Sequence, residues 1–143
     1  MEPNEEQVHS LAKLLLEKGK FDDFMSLMSH AEVNVNYTYL ETVESDSCYD
    51  NESGFRHERT VISKTLFYLA LEHKASGELV QALLEKEAKL SEVYKEHYFL
   101  SQATFGHSSG TCTAPTNTET RLSAIAAAKR FKREDIVSII QQH

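Results

Sequence analysis

A chain of 143 residues is one domain's worth of sequence and is long enough to bury a core without disulfide or metal staples. Its net charge of −7 argues against the broad basic face that nucleic-acid binding requires, and no apolar run approaches the ~18 residues of a membrane-spanning helix. Two cysteines are too few for a disulfide framework, and five glycines with two prolines argue against an all-β sandwich full of tight turns.

The start, Met1-Glu2-Pro3-Asn4-Glu5-Glu6, is acidic and carries no apolar core of a signal peptide, so the expected location is cytoplasmic. Residues 4–30 predict a helical hairpin. Asn4 can cap the first helix with Gln7 completing a capping-box-like pattern, and Val8, Leu11, Leu14 and Leu15 recur at helical spacing as one apolar face. Gly19 is a natural stop, after which Phe21, Phe24, Met25 and Met28 mark the face of a second helix. From Val33 to Tyr39 apolar or aromatic residues alternate with polar ones, which predicts a strand, and Thr60-Val61-Ile62-Ser63 predicts its return. The stretch between, 41–59, is rich in Asp and Glu and reads as a solvated hairpin tip with little order of its own.

A second helical pair is predicted over 64–87. Leu66, Leu69, Ala70 and His73 mark its first face, Leu79, Val80, Leu83 and Leu84 its second, and Ser76-Gly77 its break. Residues 91–118 form a second excursion, aromatic at first and then Ser/Thr/Gly-rich. A last pair over 119–142 carries Leu122, Ile125, Ala126 and Ala127, then Ile136, Val137, Ile139 and Ile140, with a basic cluster, Lys129, Arg130, Lys132 and Arg133, at its turn.

The three pairs repeat. Ala31 recurs as Ala88, and Leu79-Val80 as Ile136-Val137, a period of about 57 residues. Helices this short are marginal alone, so each pair must bury its face against the next. Such a stack has two exposed ends, and a hydrophobic end can dimerise.

The motifs resemble the ankyrin repeat. Thr65-Leu66-Phe67-Tyr68-Leu69-Ala70 occupies the family's T-P-L-H-x-A slot, keeping the Thr and Ala and losing the Pro and His. Glu78 to Ala88 is similar to the family's second helix and its G-A-D close, with Glu87 in place of Gly. Ala31-Glu32-Val33-Asn34 is similar to its A-D-V-N ending, and Ser123 to Val137 fits the same template. The resemblance implies a mainly α, ankyrin-like solenoid of three helix–turn–helix units spanning 1–143 as one domain, with about 24 residues added per unit as two long, partly β-hairpin loops where the family carries fingers. A non-ankyrin stack of helical hairpins is the other architecture. It also implies a non-catalytic protein–protein interaction module, whose partner lies against the fingers and the concave face formed by the first helices. Short divergent chains of this kind further resemble effectors that intracellular bacteria secrete into a host cell.

Candidate chemistry is sparse. Gly106-His107-Ser108-Ser109-Gly110 matches G-x-S-x-G, but no strand–helix alternation surrounds it, and a Gly/Ser loop is the simpler reading against a small hydrolase or thiol enzyme using Ser108 or Cys112 with His107. Cys48, His57, His107 and Cys112 lie in the two excursions, and their convergence would make a zinc-stabilised binding domain, although their spacing matches no standard zinc motif. The expectation is no cofactor and no metal. Eight aromatic residues fall outside the helical pairs: Tyr37, Tyr39, Tyr49, Phe55, Tyr94, Tyr98, Phe99 and Phe105. They either pack the excursions onto the helices or form the contact surface for another protein, since aromatics dominate interface hot spots. The acidic tip implies a basic patch on that partner.

Overall fold

The computed structural model describes residues 5–48, 54–105 and 110–143, with the side chains of 47–48, 104–105 and 110–114 outside the description. Its elements run α1 (Glu5–Glu17), α2 (Phe21–His30), β1 (Tyr39–Cys48), β2 (Gly54–Lys64), α3 (Leu66–Glu72), α4 (Gly77–Glu85), β3 (Tyr94–Phe105), β4 (Gly110–Leu122), α5 (Ala124–Arg130) and α6 (Glu134–Gln142). The strands join in the order β1-β2-β3-β4 as one four-stranded antiparallel sheet. Six helices and a sheet of this size make an α/β fold, which overturns the expected mainly α, ankyrin-like solenoid. The excursions misled because their strands carry polar residues on both faces. Without a continuous apolar face they show little hydrophobic alternation, the main sequence signal of a half-buried strand. The acidic stretch 41–59 is accordingly strand up to Cys48 and again from Gly54, and the Ser/Thr-rich tract after Gly110 is β4. The expected strand at Val33 begins only at Tyr39, because Asn34 turns the chain there. Its side-chain oxygen accepts the Asn36 N–H at 3.0 Å and its carbonyl accepts the Tyr37 N–H at 3.0 Å.

The chain divides into two compact units. The helical unit takes the chain up to Tyr39, Lys64–Tyr94 and Leu122–His143; the sheet unit takes Leu40–Ser63 and Lys95–Arg121. In the helical unit α1 packs on α2 and α3, α3 on α4 and α5, and α5 on α6, while α4 touches both α2 and α6. Because α3 lies between α1 and α5, every residue from Leu66 to Leu71 is buried, whereas α1 buries only Val8, His9, Ala12 and Leu16. Phe24, Phe67, Leu79, Leu83 and Ile136 complete the core. Each such side chain contributes about 1.5–3 kcal/mol on transfer from water. Leu11 and Leu14, expected to face inward, are instead 43% and 48% exposed.

The helical pairs share one turn geometry. Gly19, Lys74 and Lys132 all sit in the left-handed region, at φ of 72°, 61° and 58°. Each N–H bonds a carbonyl near the end of the preceding helix (Leu16, Leu71 and Lys129), and the next N–H reaches further back, to Leu15, Ala70 and Ala128. This is a Schellman closure. Glu87 closes α4 in the same way at φ 65°. Only Gly19 avoids the steric cost that a Cβ brings in this region. Replacing Lys74, Glu87 or Lys132 by glycine is therefore expected to stabilise the fold by ~0.5–1 kcal/mol each, read as a raised Tm. Gly19→Ala should lower it, by backbone strain alone, since a Cβ there meets nothing within 4 Å. Unchanged melting in all four variants would remove the argument.

Serine caps start α4 and α5: Ser76 accepts the Leu79 N–H at 3.4 Å, and Ser123 accepts the Ala126 N–H at 3.2 Å. The turn of the third pair is tied to that of the second by Arg133, which donates to the Ala75 carbonyl at 2.9 Å while gripping both oxygens of Asp135 at 3.1 and 3.0 Å. That grip holds the Asp135 carboxyl below the usual carboxylate range.

Candidate functional site

In a strand, alternate side chains share a face, so four adjacent strands set four rows of alternate residues side by side. On one face of the sheet unit these rows bring Leu40 from β1, His57, Arg59, Val61 and Ser63 from β2, Lys95, His97 and Phe99 from β3, and Asn117 and Glu119 from β4 around an open groove of about 760 Å³. Leu40, Val61 and Phe99 are its apolar lining, and the other lining residues are charged or hydrogen-bonding.

Cross-strand pairs fix the rim. Arg59 faces Glu44 at 3.4 Å and His57 pairs with Asp46, two rungs of one β1–β2 register. The His57 ring also meets Phe99 edge-on, centroids 6.2 Å apart. Across β3 and β4, Lys95 reaches Glu119 at 3.1 Å, and His97 Nε2 donates to the Asn117 side-chain oxygen at 3.1 Å. Glu119 further accepts from Arg121 at 3.2 and 3.3 Å. Hydrogen bonds from Lys95 and Arg121 hold the Glu119 carboxyl below the ordinary carboxylate value. Exposed pairs of this kind add little stability. What they do is hold long side chains upright at the groove edge.

Three acids of the expected acidic tip have partners within the sheet: Glu44 in Arg59, Asp46 in His57, and Glu58 in Arg56 at 2.7 Å. The sheet unit also exposes large apolar side chains, Leu40 at 70%, Val43 at 61% and Phe55 at 40%.

The described members of the eight expected contact aromatics are divided between the two units. Tyr37, Tyr39 and Tyr94 belong to the helical unit. Tyr37 stacks on His9 with centroids 4.2 Å apart, and Tyr39 is buried with its hydroxyl donating to the His9 carbonyl at 2.6 Å. Burial pushes the Tyr39 phenol well above its usual pKa. Tyr94 is buried against Tyr68 at 4.6 Å, under the Arg130 guanidinium at 5.2 Å, and burial also raises the Tyr68 phenol. In the sheet unit Phe99 lines the groove, while Tyr98, its neighbour along β3, points to the opposite face by strand alternation. Phe55 stands exposed near the start of β2. Tyr49 lies outside the described residues, as does the Phe105 side chain.

The Gly106–Gly110 motif lies outside the described residues at Gly106, His107, Ser108 and Ser109, and so do the side chains of Cys48 and Cys112. Of the four residues considered for zinc, only His57 is described, and it pairs with Asp46. Among the described residues, no group of three or more His, Cys, Asp or Glu side chains is placed to hold a metal, and no helix is long and apolar enough to cross a membrane. Arg59, Lys95, His97, Asn117 and Glu119 were not singled out by sequence reasoning. Their signal was the spacing of two between basic residues, His57 and Arg59 in one segment and Lys95 and His97 in the other, which puts each pair on one face once both segments are known to be strands.

No family model, curated protein or solved structure matches the chain.

Proposed function

We propose that the protein is a non-catalytic protein-interaction module whose partner protein binds on the sheet unit. The observation that supports this reading is the groove itself. It combines apolar Leu40, Val61 and Phe99 with polar side chains that have cross-strand partners. Pre-positioned polar groups around a desolvatable apolar centre are the composition of a protein interface, in which the centre supplies affinity and the rim supplies orientation. The exposure of Leu40, and of Phe55 near the start of β2, fits this role. Glu44, Asp46 and Glu58 are paired inside the sheet, so the rim offers the partner mixed charge.

The test is affinity purification with the full chain against Leu40→Asp and Phe99→Ala variants. The variants should lose the principal partner by at least about tenfold, as truncation of a central anchor does, while their circular dichroism stays unchanged. Recovery of the same partner in the same amount by both folded variants would overturn the assignment of the groove.

A further inference from the structure

The His9 ring is held by two backbone groups whose roles are fixed. The Glu5 carbonyl can only accept, so Nδ1 donates to it at 2.6 Å; the Asn34 N–H can only donate, so Nε2 accepts from it at 2.9 Å. The two bonds together require the neutral ring. A second proton would sit on Nε2, N–H against N–H, and the bond from Asn34 cannot survive it. The ring is 1% exposed, yet it lines an open cavity of about 880 Å³ between the start of α1 and the end of α2.

The other groups around the ring are compatible with a charge. Tyr37 lies flat on it, with planes 6° apart, and an aromatic face attracts a cation. Glu5 and Glu32 line the same cavity, together with Lys86 and His30. Further along α1, Lys13 lies 5.7 Å from the centroid of the Tyr39 ring, whose hydroxyl donates to the His9 carbonyl. The acids of α2, Asp22 and Asp23, stand in its first turn, at the end away from His30. On α3, the other helix packed against α1, Tyr68 stacks on Tyr94 and Glu72 pairs with Lys64. Protonation of His9 is therefore opposed at the Asn34 N–H and tolerated around it.

We propose that His9 is an acid-sensitive latch, which on taking up a proton lets go of Asn34 and loosens the turn that Asn34 begins. That turn carries Asn36, which donates to the Glu87 carbonyl and accepts the Lys89 N–H at 2.7 Å. The latch thus governs the link between the end of the first helical pair and the end of the second. Its sign follows from the proton count. The latched state holds the ring neutral and the released state lets it charge, so the latch is closed above the range in which a free histidine titrates, about pH 6.5, and opens as pH falls through it. It lies wholly in the helical unit and stands independently of the partner assigned to the sheet.

Amide hydrogen exchange of the full chain, read residue by residue by NMR and corrected for intrinsic rates, tests it. From about pH 7.5 to about pH 5.5, on either side of the histidine range, protection of the Asn34 and Lys89 amides should fall at least about tenfold, as for an N–H that loses its acceptor. The amides of α3 should keep theirs, and the nitrogen shifts of the His9 ring should show Nε2 gaining its proton in step with the loss. His9→Gln supplies a carbonyl acceptor that takes no proton and should make Asn34 protection independent of pH, whereas His30→Gln should leave the transition in place. The wild-type titration decides the matter even where the glutamine variant at position 9 does not fold. Asn34 protection that stays constant while His9 charges overturns the proposal, as does a His9 ring that stays neutral throughout. A loss that follows His30, or that strikes the α3 amides equally, overturns it as well, by placing the acid response elsewhere or in global unfolding.

Discussion

Replacing His9 by leucine is expected to cost about 2–4 kcal/mol of folding stability, although leucine is nearly as large and more apolar. His9 is 1% exposed on α1, and the core uses both nitrogens of its ring. Nδ1 donates to the Glu5 carbonyl at 2.6 Å, and Nε2 accepts the Asn34 N–H at 2.9 Å. One donor and one acceptor identify the neutral ring with its proton on Nδ1, a tautomer assigned from these partners. Leucine fills the volume but leaves the Asn34 N–H without its acceptor, a loss of ~1–3 kcal/mol, and removes the stacking on Tyr37, worth ~0.5–1.5 kcal/mol. The effect should extend beyond the site. Asn34 begins the turn that carries Asn36, whose side chain donates to the Glu87 carbonyl at 3.3 Å and accepts the Lys89 N–H at 2.7 Å. His9 therefore anchors the segment that joins the end of the first helical pair to the end of the second. Urea unfolding gives the free energy, and Tyr39→Phe supplies the scale: it removes one hydrogen bond to the His9 carbonyl and should cost only ~1 kcal/mol. If leucine at position 9 costs no more than that, the ring is packing and not anchoring.

His9 also shows where sequence reading stopped. A histidine one residue past Val8 looks like a surface residue beside an apolar stripe, and its partner Asn34 lies in another element. The helical pairs themselves were legible, because Gly19, Ser76 and Ser123 punctuate them and their apolar residues recur at helical spacing. The inward face of α1 was not. This helix carries two apolar stripes, one of Val8, Ala12 and Leu16 and one of Leu11 and Leu14, and periodicity cannot say which of two stripes has a neighbour. The sheet was the larger omission. Thr42, Glu44 and Asp46 on one side of β1, with Glu41, Val43 and Ser45 on the other, carry no pattern that burial would impose. The groove depends on that sheet. His57, Lys95 and Glu119 are far apart in the chain and become neighbours only through the order β1-β2-β3-β4. For the aromatics, composition could count Tyr98 and Phe99 together but could not separate adjacent strand residues onto opposite faces.

The two leucine stripes lead to the sharpest contrast the fold offers. Leu69→Asp is expected to cost more than about 4 kcal/mol and to leave the helical unit unfolded near room temperature, because a carboxylate would stand at a position only 1% exposed. Leu14→Asp is the same substitution at the corresponding position of the first pair, where the side chain is 48% exposed. There the carboxylate keeps its water, and the monomer should lose no more than ~0.5 kcal/mol, as at an ordinary surface site. Circular dichroism with thermal melting distinguishes the two outcomes directly. The comparison holds local sequence effects nearly constant, since both leucines stand in the last turns of a helix closed by the same left-handed turn. What differs is whether another helix of the stack lies over them. If Leu14→Asp were as damaging as Leu69→Asp, the exposure of Leu14 would not describe its surroundings in solution, and the contrast between the two leucine stripes would fail.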